Sequence, residues 1–123
     1  MIWLFCRAYL ALLRFEFYLT RDDFARLHRA VRESLPGKRN GMDVSERVCH
    51  AIDLACALYP RQIWCLQRSA ATTVLLRACG IPAELVIGVQ QLPFKSHAWV
   101  EVGGRVINDK VSVCEPYTVL ERC

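Results

Sequence analysis

No two of the seven cysteines stand in Cys-x-x-Cys spacing, and their number is odd. A zinc ribbon needs that spacing and a disulfide framework wants an even count, so both are excluded. Most of Cys6, Cys49, Cys56, Cys79, Cys114 and Cys123 then read as small buried hydrophobes of a reducing, cytoplasmic compartment, with Cys65 reserved for separate treatment. Charge of one sign is also scarce. Residues 1–60 carry nine basic and seven acidic side chains, and residues 61–123 carry seven and five. With each half near +2 and no Lys/Arg run, a nucleic-acid binder is not indicated.

A long uncharged apolar run is missing too. The most apolar stretch, residues 2–19, is broken by Arg7, Arg14 and Glu16, whereas a membrane span wants about 20 apolar residues. It has neither the charge order nor the small-residue cleavage site of a signal peptide. It reads as an amphipathic helix over a core, with peripheral membrane or partner contact as the alternative. The 54% hydrophobic content excludes disorder, and 123 residues make one domain.

What is present falls into a helical part, 1–60, and a mixed part, 61–123. After the first helix, Thr20-Arg21-Asp22-Asp23 looks like a new helix start with Thr20 as cap. Phe24, Leu27, Val31 and Leu35 repeat at helical spacing until Pro36-Gly37, and Lys38-Arg39-Asn40-Gly41 forms a loop. Asp43-Val44-Ser45-Glu46 is a capping box for a third helix, which buries Val48, Ile52, Ala55 and Cys56 and stops at Tyr59-Pro60. His28 and His50 fall within helices and are read as structural or solvated.

Downstream, Cys65 to Cys79 is a helix closed by Gly80 and Ile81-Pro82. Ala83–Gln90 is a strand, and Gln91–Ser96 is a loop broken by Pro93. His97–Val102, Gly103-Gly104 and Arg105–Asp109 read as a hairpin, and Val111–Cys114 as a short strand. Helices first and an antiparallel sheet after make an α+β fold.

Cys65 opens its helix, where unpaired amides and the helix dipole favour a thiolate; Cys79 closes the same helix, where the opposite pole disfavours one. His97 stands outside the helical part, at the start of a strand able to lie over Cys65. A thiol with a base in reach is the arrangement of nucleophilic catalysis. The third member depends on the hairpin. A two-residue turn at Gly103-Gly104 sets Trp99 opposite Asn108 and turns Asp109 away from His97. A three-residue bulged turn puts Asp109 on the face of His97. Asp109, Asn108 and then Glu101 are the candidates to orient the base. The Cys65 amide could hold an oxyanion, helped by the Trp64 indole N–H, Gln67 or Arg68. Trp64 and Trp99 are otherwise core residues, and Arg68 either pairs with an acid or holds a substrate carbonyl.

Cys65-Leu66-Gln67-Arg68-Ser69-Ala70, Arg77-Ala78-Cys79-Gly80-Ile81-Pro82-Ala83, Val86-Ile87-Gly88-Val89 and His97-Ala98-Trp99-Val100-Glu101-Val102-Gly103-Gly104-Arg105-Val106-Ile107-Asn108-Asp109 together resemble the transglutaminase-like domain of lasso-peptide biosynthesis B proteins. The match covers about residues 60–110. It implies a transglutaminase-like, papain-like α+β fold: N-terminal helices, then a nucleophile helix packed on a small antiparallel sheet. It implies a leader peptidase with Cys65 as nucleophile, His97 as base and Asp109 as orienter, which favours the bulged turn. Trp64, Arg68 and Trp99 are the candidate substrate contacts. No metal or other cofactor is required. The implied partners are the precursor peptide, a separate leader-recognition protein (the first sixty residues lack the strands of a fused recognition module) and an ATP-dependent macrolactam cyclase. The alternatives are a transglutaminase-like amidase or acyltransferase, and a non-catalytic scaffold that presents the precursor.

Overall fold

Leu4, Ala8, Leu12 and Phe15 recur every three or four residues, and that spacing lays them on one stripe of a helix. In the computed structural model, which describes residues 2–34 and 42–123 without the side chains of Met42 and Asp43, this stripe faces the core. The helix, α1 (Ile2–Thr20), packs against α3 (Met42–Leu58) and α4 (Cys65–Ala78). Between them α2 (Phe24–Glu33) contributes Leu27 and Val31. Burying side chains of this size stabilises by roughly 1.5–3 kcal/mol each.

Thr20 does not cap α2. Its hydroxyl donates back to the Phe17 carbonyl, so α1 runs on to include it. Asp22, at φ 52, then ends α1 in the left-handed region, which Asp tolerates better than most residues. Asp23 caps α2, its carboxylate accepting from the Arg26 amide at 3.1 Å. The expected stop at Pro36-Gly37 and the loop through Gly41 lie outside the described residues, and α3 already includes Met42, so Asp43 stands inside the helix rather than before it.

The mixed part is a four-stranded antiparallel sheet in the order β3-β2-β1-β4, built from β1 (Ala83–Gln91), β2 (Phe94–Val102), β3 (Arg105–Val106) and β4 (Thr118–Arg122). Two expectations are corrected here. The anticipated loop before His97 is mostly strand, because β1 and β2 are joined by Leu92-Pro93 alone and pair from Gln91↔Phe94 onward. Val111–Cys114 is a helical turn, α5, and the edge strand comes instead from the tail. The alternating residues Ala83, Leu85, Ala98 and Val100 face the helices, while Val86, Trp99 and Cys114 form a second, smaller core on the other face.

The far end of α4 is tied to everything around it. Arg77 donates from Nε to the Ala83 carbonyl at 2.9 Å, from Nη1 to the Val31 carbonyl and to Ser34 Oγ, and from Nη2 to the Cys123 carbonyl at 2.6 Å. One guanidinium thus joins α4 to β1, to the end of α2 and to the end of β4. Burial lowers its pKa from the usual arginine value, the cost of holding a cation among carbonyls. Gly80, at φ 87, supplies the left-handed residue that lets the chain leave α4.

Candidate active site

Gly103 (φ 58) and Gly104 (φ 80) make a two-residue turn with Val102 opposite Arg105. Both glycines need the left-handed region, as this hairpin type requires. The bulged register is therefore overturned, yet Asp109 still reaches His97. The reason is that β3 ends at Val106. The last ladder contact is the Ile107 amide to the Val100 carbonyl at 3.0 Å. Beyond it the chain leaves the sheet, and strand alternation no longer dictates where side chains point.

Asn108 takes the next place in the ladder with its side chain. Its Oδ1 accepts from the Val100 amide at 2.8 Å, and its Nδ2 donates to Ser69 Oγ at 3.1 Å. Ser69, buried on α4, donates in turn to the Ala98 carbonyl at 3.0 Å. Asn108 and Ser69 therefore pin β2 and the 107–109 segment onto α4, and Asn108 is not the partner of His97. That partner is Asp109, whose Oδ2 lies 2.7 Å from His97 Nε2. The other carboxylate oxygen accepts from the Lys110 amide at 2.8 Å, which fixes the carboxylate's rotation. Glu101 is occupied elsewhere, accepting from Trp99 Nε1 at 2.8 Å and from Arg122 at 2.9 Å. Burial raises its pKa, but those two donors outweigh burial and leave it below the usual carboxylate range.

Cys65, Trp64, Arg68, Ser69, His97, Asn108 and Asp109 line one cleft of about 240 Å³, floored by Cys56 and Ile63. Cys65 is exposed there at the first position of α4, and its amide has no acceptor within the helix. Because Asp109 engages Nε2 of His97, Nδ1 is the ring nitrogen left for a thiol. The tautomer that fits is Nε2–H toward the carboxylate with the Nδ1 lone pair free. A larger hollow of about 400 Å³ lies between α3 and β3, but its lining contains no histidine.

The remaining cysteines differ. Burial pushes the thiols of Cys49, Cys56, Cys79, Cys114 and Cys123 up, and Cys114, faced also by Asp109 and Glu101, reaches about 11. Cys79 is raised by desolvation, against which the nearby Arg7 pulls it down.

The other anticipated site residues divide. Trp64 is exposed at the cleft rim. Arg68 lines the cleft and donates from Nη2 to Asp53 of α3, while its buried Nε has no partner among the described residues. Trp99 is not a cleft residue: it shares the strand face of His97 but lies two residues further along β2, buried in the second core with Val86 and Cys114. Gln67 is likewise removed from the surface. Fully buried, it donates to the Leu12 carbonyl at 2.8 Å and accepts from the Trp64 amide at 3.4 Å, joining the start of α4 to α1. Tyr117 was missed altogether. Its ring centroid lies 5.5 Å from that of His97, with Trp99 at 5.9 Å, so the imidazole rests on two aromatic rings. Gly88 makes room for them, since a Cβ there would come within 2.7 Å of Trp99 and 2.8 Å of Tyr117. Only the Gly88 interruption of an otherwise β-branched strand hinted at this close approach.

A thiol at a helix start, a carboxylate-bound histidine beside it and an α+β frame define a papain-like or transglutaminase-like thiol site. The model of the transglutaminase-like superfamily matches residues 9–122, and the chain belongs to that superfamily. Among individual proteins, it is similar to the microcin J25-processing protein McjB of Escherichia coli, with 48% identity over 56 residues. That alignment takes in 46% of this chain and 27% of McjB, so the chain matches about a quarter of the length of that relative. Both findings agree with the resemblance read from the motifs. No solved structure matches significantly.

Proposed function

We propose that the chain is a cysteine peptidase that removes the leader from a ribosomally made lasso-peptide precursor. The observation that carries this reading is the 2.7 Å His97–Asp109 bond in the same cleft as the exposed Cys65. Similarity to a processing protein supports the substrate class. In the mechanism, His97 Nδ1 takes the Cys65 proton and the thiolate attacks the carbonyl at the leader–core junction. The oxyanion forms against the Cys65 amide, with the Trp64 indole N–H at the cleft rim as a further donor. As the C–N bond breaks, the imidazolium gives its proton to the departing core amine. Water, deprotonated by His97, then hydrolyses the thioester and frees the leader acid. Asp109 holds the ring orientation and stabilises the imidazolium.

The precursor is delivered by a separate leader-recognition protein, and the freed amine is consumed by an ATP-dependent cyclase; the chain works in the cytoplasm and as one domain. The test is cleavage of a precursor peptide by the chain with its recognition partner, followed by mass spectrometry. Free leader and core are expected, and Cys65→Ala should produce neither. Retained cleavage in Cys65→Ala overturns the proposal. The superfamily match favours a second reading, transfer of the acyl group to an amine. A product with a new amide bond in place of a free leader acid would select it.

A further inference from the structure

Beside the catalytic pair lies a thiol that this mechanism does not use. Cys114, at the end of α5, is buried on the face of the sheet that carries His97 and Trp99. Its Sγ, a ring nitrogen of His97 and a carboxylate oxygen of Asp109 all lie within 4.8 Å of one another. Imidazole, thiolate and carboxylate form the donor set of zinc-class ions, which hold tetrahedral ligand atoms about 3.5 Å apart. The His97–Asp109 pair is already closer than that. Asp109 is an exposed residue on a segment outside the sheet, so it can open to admit an ion. Asp109 and Glu101 both put negative charge near the Cys114 sulfur, which favours a cation there.

A second group, His28, Glu121 and Cys123, has a similar spacing. There two guanidiniums hold the space: Arg32 lies 3.5 Å from Glu121, and Arg77 donates to the Cys123 carbonyl. A dication would be opposed at that place.

We propose that His97, Asp109 and Cys114 form a site for a zinc-class divalent ion that turns the cleft off. Binding releases the Cys114 thiol proton to solvent and shifts the single N–H proton of His97 from Nε2 to Nδ1 by exchange with water, and the ion takes Nε2, a carboxylate oxygen and the thiolate, with water as a fourth ligand. The neutral imidazole bound through Nε2 then carries its one proton on Nδ1. That nitrogen can no longer accept the proton of Cys65, and Asp109 is withdrawn from the ring. The inhibitory consequence rests on His97 as the base of the proposed peptidase. The metal site does not, so binding is measured without any substrate.

Cobalt(II) is added to the purified chain, and the near-ultraviolet thiolate-to-cobalt absorption is followed, with zinc as competitor. The band is expected in the unmodified chain and in Cys65→Ser. It should be lost in Cys114→Ser, with zinc affinity down at least about tenfold. Because a buried serine could disturb the fold, Asp109→Asn, at an exposed position, is the second variant, and its affinity should fall comparably. No band in the unmodified chain, a band that survives Cys114→Ser, or one that disappears in Cys65→Ser would overturn the site. If cobalt and zinc bind as described but zinc leaves precursor cleavage unchanged, the switch is overturned. A chain that cleaves no precursor at all refutes the peptidase reading while the cobalt result still stands.

Discussion

The two ends of α4 are built for opposite purposes. At its start Cys65 is exposed, the N-cap Trp64 offers the helix amides no side-chain acceptor, and β3 stops short beside a cleft. At its finish Cys79 is buried, and Arg77 gathers carbonyls from three other parts of the chain. Both ends present a cysteine and a cation within a few residues. What separates them is the use of backbone groups. The finish satisfies its neighbours' carbonyls inside the protein, whereas the Cys65 amide at the start has no acceptor within the helix.

The sharpest break in this comparison is a pair of substitutions. His97→Ala at the open end should lower kcat/KM for precursor cleavage by about 10²–10⁴-fold and leave thermal unfolding almost unchanged. Cys79→Ala at the closed end should leave cleavage intact and cost about 1 kcal/mol in urea unfolding. Equal effects of the two on stability would mean that the open end also holds the fold.

Next in size is Arg77→Met, which keeps the length of the side chain and removes its donors. Several charge-assisted hydrogen bonds are lost and buried carbonyls are left unpaired, so unfolding free energy should drop by about 2–4 kcal/mol. Loss of the α2 and β4 contacts should appear as faster amide exchange in those two elements before the rest.

A smaller effect is kinetic. In the native chain a thiol reagent near neutral pH should modify Cys65 at least about tenfold faster than Cys79, and peptide mapping after a short pulse separates them. In urea the two rates should converge.

The smallest is the response to pH. Five thiols have folded pKa values above their unfolded ones, Cys114 the furthest at about 11. A raised folded pKa means that the folded state binds more protons between the two values. The contribution is complete below about pH 8.5 and is lost as pH rises toward 11. At the acid end, hydrogen bonds from Arg61 and Tyr59 lower Glu16. Its contribution is present above about pH 4 and is lost as pH falls through the lowered value. Urea midpoints across the range should therefore decline at both extremes, and Glu16→Gln should flatten only the acid limb.

Much of the frame could be read in residue order. The helix stripes of α1 and α2, the Cys65–Ala78 helix with its glycine exit, and the strands on either side of Gly103-Gly104 all follow periodicity and turn chemistry, which are local. The errors fell where a neighbour in space decides. Thr20 looked like a cap because nothing local shows that α1 runs through it. The segment before His97 looked like a loop because Pro93 suggested a break wider than the two-residue connection that pairing imposes. Trp99 looked available to substrate because it shares the strand face of His97, and nothing local shows that a second core covers it.

The sequence by itself determined the helical and mixed halves and the position of Cys65 at a helix start. These depend on spacing, capping and dipoles within one element. Tertiary structure alone decided how Asp109 reaches His97. The hairpin has the tight turn that should have turned Asp109 away, but β3 breaks off after Val106, and Asn108 spends its side chain on Val100 and Ser69. Alternation governs a residue only while the ladder continues. Where the ladder ends is set by what packs against the strand, and in this protein that is α4.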